Sequence, residues 1–321
     1  MPAEWLFMVR CPLLQGYRDA GNFPLGELYS HFLKELHMAS ALIHLYPLAR
    51  KLLLAFLLSA LFGSFSMASE GDGIIEPGEN ETEELARAAQ NPVANMISLP
   101  FQNNTDFNFG PEEKTLNTMN IQPVIPFELN DEWNIITRTI VPIVSQPEVS
   151  PGQDRETGLG DTAFTVFFSP KDSGKWIWGA GPVALIPTNT DDRLGADEWG
   201  VGPSFVVLTI QGPWVVGSLF SNVWDIDGDT DINFFTWQYF VNYNMDDGWY
   251  LTSSPVITAD WEAESSEEWT VPVGGGFGKI FRIGEQPMNA QFQYFYNVEK
   301  PDLVGDWSIR MQLQFMFPRM G

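Results

Sequence analysis

The sequence predicts an all-β protein, a closed antiparallel transmembrane β-barrel of about twelve strands, preceded by a signal peptide that is removed. Three observations carry this expectation. The final stretch, Trp307 to Phe317, places Trp307, Ile309, Met311, Leu313, Phe315 and Phe317 on one parity and Ser308, Arg310, Gln312, Gln314 and Met316 on the other, the period of two expected of a strand between lipid and water. Its length matches the 9–11 residues with which a tilted strand crosses a bilayer, and aromatics stand at both ends. The connectors between strand-like segments alternate between short turns and longer, acidic loops. Near the N-terminus, Arg50-Lys51, the apolar run Leu52 to Phe65 and Ser66-Met67-Ala68 follow the order of a secretory signal.

Taking the chain in order, residues 1–37 precede a plausible start at Met38 and read as a mis-assigned upstream extension. Residues 38–68 read as the signal peptide, 69–94 as an acidic periplasmic segment and 95–321 as the barrel. Removal of residues 1–68 takes away Cys11, His31, His37 and His44, so the mature chain has neither cysteine nor histidine. That excludes thiol nucleophiles, disulfides, Ser-His triads and His/Cys metal sites, and no enzymatic activity is expected. Five of the 17 basic and four of the 41 acidic residues go with it, leaving 12 against 37 and a charge of −25, a balance that repels nucleic acid.

The segment from Ser69 to Gln90 begins acidic and turns helix-like at Leu85-Ala86-Arg87-Ala88-Ala89. It reads as a solvated leader with one frayed turn of helix; the alternative is a plug that enters the barrel. Strands are expected at about Asn95–Asn103, Thr115–Phe127, Trp133–Val144, Gly158–Ser169, Trp176–Pro187, Trp199–Ile210, Trp214–Trp224, Ile232–Asn244, Trp249–Ala259, Trp269–Phe281, Pro287–Val298 and Asp306–Phe317. The eighth and eleventh are patterned best, with Phe235, Trp237, Tyr239, Val241 and Tyr243 opposed to Gln238 and Asn242, and Phe292, Tyr294, Tyr296 and Val298 opposed to Gln291, Gln293 and Asn297. An even strand number puts both ends on the short-turn rim. A lipid-exposed strand leaves no edge unpaired, so the last strand must close on the first.

Several pieces in order resemble a known family: Asn91-Pro92-Val93-Ala94-Asn95 with Leu99-Pro100-Phe101-Gln102-Asn103-Asn104, Asn120-Ile121-Gln122-Pro123-Val124-Ile125-Pro126, Asn242-Tyr243-Asn244 with Gly248-Trp249-Tyr250, Val271-Pro272-Val273-Gly274-Gly275-Gly276, and Gln314-Phe315-Met316-Phe317-Pro318. Over residues 91–319 the chain resembles the bacterial outer-membrane proteins of the MetA-pathway of phenol degradation type, often labelled neuromedin U or transporter. The resemblance implies a barrel in the Gram-negative outer membrane that passes small, aromatic compounds, and it brings no catalytic motif.

Three constellations remain. The repeated G-x-G-P of Gly179–Pro182 and Gly200–Pro203 is read as bent or crowded wall because no helix follows to complete a phosphate site, and the run Gly274–Lys279 as kinked strand because its spacing is wrong for a P-loop and Ile280 replaces the required Ser/Thr. Asp225, Asp227, Asp229 and Asp231 surround Gly228 at a hairpin tip, where a divalent cation would bind weakly; no other cofactor is expected. Arg138 and Arg310 share interior parity with Gln238, Gln291, Gln293, Gln312 and Gln314, and these are the candidate lumen-lining residues. The arginines either line an anion-attracting conduit or brace the wall through a carboxylate such as Asp161. The function expected is a channel for small solutes, with interior aromatics Phe234, Phe240 and Phe295 suited to an aromatic or amphipathic one. The alternatives are an interaction barrel without transport, an outer-membrane hydrolase and an exported β-sandwich. Expected partners are outer-membrane lipid, lipopolysaccharide, the barrel-assembly machinery and the solute.

Overall fold

The structure is a computed structural model that describes residues 79–150, 152–226 and 232–317. The expected signal peptide, the upstream extension and Asp227, Asp229 and Asp231 of the acidic tip lie outside the described residues.

One helix, α1 (Glu79–Ala89), precedes fifteen strand segments: β1 (Ile97–Phe109), β2 (Lys114–Ile121), β3 (Val124–Glu128), β4 (Trp133–Gln146), β5 (Glu156–Leu159), β6 (Thr162–Pro170), β7 (Ile177–Ile186), β8 (Gly200–Gln211), β9 (Trp214–Asp225), β10 (Asn233–Asn244), β11 (Trp249–Ser253), β12 (Val256–Asp260), β13 (Trp269–Ile283), β14 (Gln286–Glu299) and β15 (Trp307–Phe317). Three of these are continuations of the segment before. The breaks fall at Gln122-Pro123, Gly160-Asp161 and Ser254-Pro255, where proline withholds a ladder donor or a glycine bends the chain. Counting β2/β3, β5/β6 and β11/β12 as one strand each gives twelve, all antiparallel, and the barrel closes where β1 pairs β15 from Ile97↔Phe317 to Phe107↔Trp307.

The expected strands are all present. The largest shift is in β1, which runs on to Phe109 rather than ending at Asn103. Asn104, Thr105 and Asp106 lie beyond the expected end of the strand, yet Asn104 and Asp106 are lumen-facing strand residues opposite Arg310 and Ser308. Short turns at 129–132, 171–176, 212–213, 245–248 and 284–285 mark one rim. The longer connections that follow β4, β7, β9, β12 and β14 mark the other, which is also crossed by the tight turn 110–113.

Outside, apolar residues form a band edged by aromatic pairs, as a membrane-facing wall requires. On the short-turn rim Trp133 meets Trp178 at 5.8 Å and Trp214 meets Tyr243 at 4.8 Å; on the long-loop rim Phe107 stacks on Trp307 at 3.9 Å and Trp261 meets Trp269 at 5.4 Å. The outward-pointing Lys279 lies over the Trp249 ring at 5.1 Å on the short-turn rim, where a long aliphatic stem suits an apolar wall. The G-x-G-P glycines mark close strand approach: a Cβ at Gly181 would stand 1.9 Å from the Val166 carbonyl oxygen and one at Gly202 1.6 Å from that of Asn222.

Candidate functional site: a two-walled lumen with a docked N-terminal helix

The interior is built by strand parity, and its two sides differ in chemistry. On β1, β2, β14 and β15 the inward positions carry Gln102, Asn104, Asn120, Asn289, Gln291, Gln293, Gln312 and Gln314, and the amides are bonded to one another. Asn289 donates to Gln314 Oε1 at 3.1 Å, Gln293 donates to Gln291 Oε1 at 2.9 Å, and the Tyr250 hydroxyl donates to Asn289 Oδ1 at 2.6 Å. Across the lumen, Ile136, Phe167, Val206, Leu208, Val215, Leu219 and Phe240 form an apolar wall from β4 and β6 to β10. Buried amides cost stability unless satisfied, so this belt holds its shape only as a network.

The N-terminal segment occupies the short-turn mouth, which differs from the solvated leader with one frayed turn expected from sequence. α1 extends over 11 residues. Thr82, Leu85, Ala86 and Ala89 recur at helical spacing, and Leu85 and Ala86 bury against lumen-facing Tyr250, Ile280 and Met316. Met316 breaks the polar parity of β15 for this reason: it is 0% exposed and supplies the apolar floor on which the helix lies. Arg282 pairs with Glu81, and Gln90 and Asn244 exchange amide hydrogen bonds at 2.8 and 3.1 Å. Asn91-Pro92 stops the helix, with Asn91 Oδ1 accepting the Val93 amide at 3.0 Å. Val93 then docks in the apolar wall, so the segment 79–93 bridges the two sides of the mouth.

Beyond it lie two cavities of about 150 and 280 Å³, the first beside the plug and the second toward the long loops. Gln102, Gln122, Arg138, Leu219 and Gln238 line both, so the cavities meet at that ring. An apolar cavity of about 150 Å³ is known to hold benzene, so either chamber has room for a single aromatic ring.

Arg138 donates to Gln122 Oε1 at 3.0 Å, and no ion pair joins it to a carboxylate among the described residues. Arg310 donates to Asn104 Oδ1 at 2.9 Å and to the Ser254 carbonyl at 2.7 Å, with its guanidinium 5.0 Å from the Phe295 ring. Gln312, Gln314, Gln291 and Gln238 line the first cavity, and Gln293 is fully buried against Ser254. The expected bracing partner Asp161 is committed elsewhere. At the β5/β6 break its carboxylate accepts the backbone amides of Thr188 and Asn189 at 3.1 and 3.2 Å and of Ala196 at 2.7 Å, pinning the loop 187–199 over the rim. Leu194 of that loop buries with Phe109, Leu116 and Val144. At the acidic tip, Asp225 accepts the Ile232 amide at 3.0 Å and closes the hairpin base. No group of three or more metal-binding side chains occurs among the described residues.

The few bases of the long-loop rim are spent on its excess acids. Arg193 bonds Asp191 at 2.8 Å and Glu156 at 2.6 Å, and Lys114 bonds Glu148 at 2.7 Å. The hydrogen bond from Arg193 holds the Asp191 carboxyl below the usual carboxylate range, and that from Lys114 does the same for Glu148.

No family model matches the chain, and no curated protein matches it in sequence. Among solved structures it is similar to an outer membrane channel from Pseudomonas putida F1, with a TM-score of 0.54 and 16% identity over 78% of this chain and 100% of that one. Weaker likenesses extend to the NanC porin (TM-score 0.45, 10% identity, 70% of this chain and 100% of that one) and the CymD monoaromatic hydrocarbon channel (TM-score 0.41, 9% identity, 78% and 95%), and these add nothing to the fold. The chain has the fold of an outer-membrane channel, a closed antiparallel barrel of twelve strands.

Proposed function

We propose that this protein is an outer-membrane channel for small aromatic or amphipathic solutes, of the kind that its sequence resembles. The observation that carries the reading is the two-walled lumen. Apolar side chains, Leu219 and Phe240 in the first cavity and Val183, Leu185, Leu219, Val223 and Phe234 in the second, meet the amide belt in two joined cavities, each large enough for one ring. A sugar chain would leave the apolar wall uncompensated, and a pure hydrocarbon would leave the belt unmet; a ring bearing one polar group satisfies both. Arg138 sits where the cavities meet and favours an anionic substituent. Short turns then face the periplasm and the acidic loops face outward among lipopolysaccharide phosphates, with divalent cations shared between them. The barrel-assembly machinery is the insertion partner this fold calls for.

The test is entry into proteoliposomes. Benzoate should enter faster than a neutral sugar of similar mass, and Arg138→Ala should narrow the difference while the barrel keeps its heat-modifiable mobility. Equal rates for the two solutes in well-folded protein would defeat the reading.

A further inference from the structure

Between its two rims the outer wall is apolar and aromatic over much of its circumference, as at Trp237, Tyr239 and Val241 of β10 and at Ile309, Met311 and Leu313 of β15. One sector departs from this. Gln102, Asn104 and Asp106 of β1 and Asn120 of β2 line the second cavity, so strand alternation turns Asn103, Thr105 and Asn117 toward the lipid. Asn103 and Thr105 lie between Phe101 and the Phe107–Trp307 stack of the long-loop rim, beside Met311 and Ile309, and Asn117 stands across from Thr105.

These three side chains are bonded to one another. Asn103 and Asn117 exchange amide hydrogen bonds, both at 3.0 Å. The Asn117 amide also donates to Thr105 Oγ1 at 2.8 Å and to the Asn104 carbonyl at 3.1 Å, and the Thr105 hydroxyl donates to Asn103 Oδ1 at 3.2 Å. A primary amide has two N–H donors and two acceptor lone pairs. The bonds fill both lone pairs of Asn103 and both N–H groups of Asn117, which leaves one N–H on Asn103 and one lone pair on Asn117. Acyl chains can meet neither.

We propose that this outward face of β1 and β2 is the contact surface of a homodimer, and that its occupant is the same face of a second copy. The membrane holds every copy with its long loops on one side, so a copy turned by 180° about the membrane normal presents the same amides at the same depth. The spare N–H of each Asn103 then meets the spare lone pair of the partner's Asn117, twice over, as an isologous contact requires. Side-chain amides that are costly against acyl chains thus become the groups that join two membrane-embedded walls. The approach is open as well. β1 and β2 are joined by the tight turn 110–113, whereas the other connections of that rim are longer. Because the amides face away from the lumen, the proposal stands apart from the conduit reading.

Crosslinking in intact outer membranes tests this. Met311→Cys places a thiol beside Asn103 on the outer wall, and Val216→Cys places one on β9, where residue 216 is 38% exposed. The mature chain is expected to have no other cysteine. A short bis-maleimide should join Met311→Cys into a species of twice the mass and leave Val216→Cys as single chains. Adding Asn103→Leu and Asn117→Leu to Met311→Cys should lower the dimer yield at least tenfold, while heat-modifiable mobility and the conductance of each barrel stay as they were. Leucine suits a lipid-facing wall, so these two changes remove the amides without burdening the fold of a single copy. Equal yields at the two cysteines mean random collision and overturn the proposal. So do a yield that the leucines leave unchanged, an adduct of another mass, which assigns the face to a different protein, and folded Met311→Cys that remains a single chain.

Discussion

Replacing Leu85 by alanine should release the N-terminal helix from the mouth without opening the barrel. Leu85 is 6% exposed and packs on Tyr250, Ile280 and Met316. Removing a buried leucine costs about 2–5 kcal/mol, and the low end applies because the adjoining cavity lets the site relax and take up water. At about 2–3 kcal/mol, with each 1.4 kcal/mol worth tenfold, the undocked population should rise roughly 30- to 140-fold. Strand pairing is untouched, so this cost falls on docking alone. Trypsin reports it, since cleavage after Arg87 requires the helix to leave the mouth and its rate tracks the open population when reclosing is fast. The Glu81–Arg282 pair decides little by comparison. Glu81 is 55% exposed, and an ion pair of that kind contributes about 0–1 kcal/mol, so Glu81→Gln should raise cleavage less than tenfold. Equal cleavage of wild type and Leu85→Ala would refute the claim that apolar burial holds the plug.

Further outcomes follow from the same contacts. Gly278→Ala would place a Cβ 2.2 Å from the Tyr250 ring; displacing that buried ring should cost about 1–3 kcal/mol and lower the temperature at which gel mobility shifts. Asp161→Asn removes the charge that three loop amides share, and limited proteolysis within 187–199 should accelerate while the mobility shift stays intact. Because Glu148 and Asp191 titrate below the ordinary carboxylate value of about 4, the ties from Lys114 and Arg193 are present above that pH and lost as pH falls beneath it. Proteolysis of the long-loop rim by an acid-active protease should therefore rise below about pH 4, and rim protection lost already at pH 6 would contradict the assignment.

How much of this was legible in the sequence depends on the range of the contact. Period-two alternation is a local property, so the twelve strands and the lumen parity of Arg138, Arg310 and the glutamines could be read directly. The tail of β1 was missed because Asn and Asp disfavour strands in general, and only the closed lumen turns them into wall residues. The docked helix was only the second reading of its segment because Leu85-Ala86-Arg87-Ala88-Ala89 is too short to be stable alone, and its partners Tyr250, Ile280 and Met316 lie over 150 residues away. Met316 was the available signal, a lone apolar residue on a polar parity near the mouth. Asp161 could not be assigned because a carboxylate in a strand reads as a charge seeking a base, while its partners are backbone amides of a loop.

The central claim is that the two cavities form one path through the barrel, and conductance of the purified protein in a planar bilayer tests it most directly. The account predicts discrete chloride-preferring openings whose selectivity for anion over cation falls in Arg138→Ala, since Arg138 lines both cavities where they meet and Gln122 is its hydrogen-bond partner. Well-folded, heat-modifiable protein that carries no current, with α1 in place or released by Leu85→Ala, would contradict it.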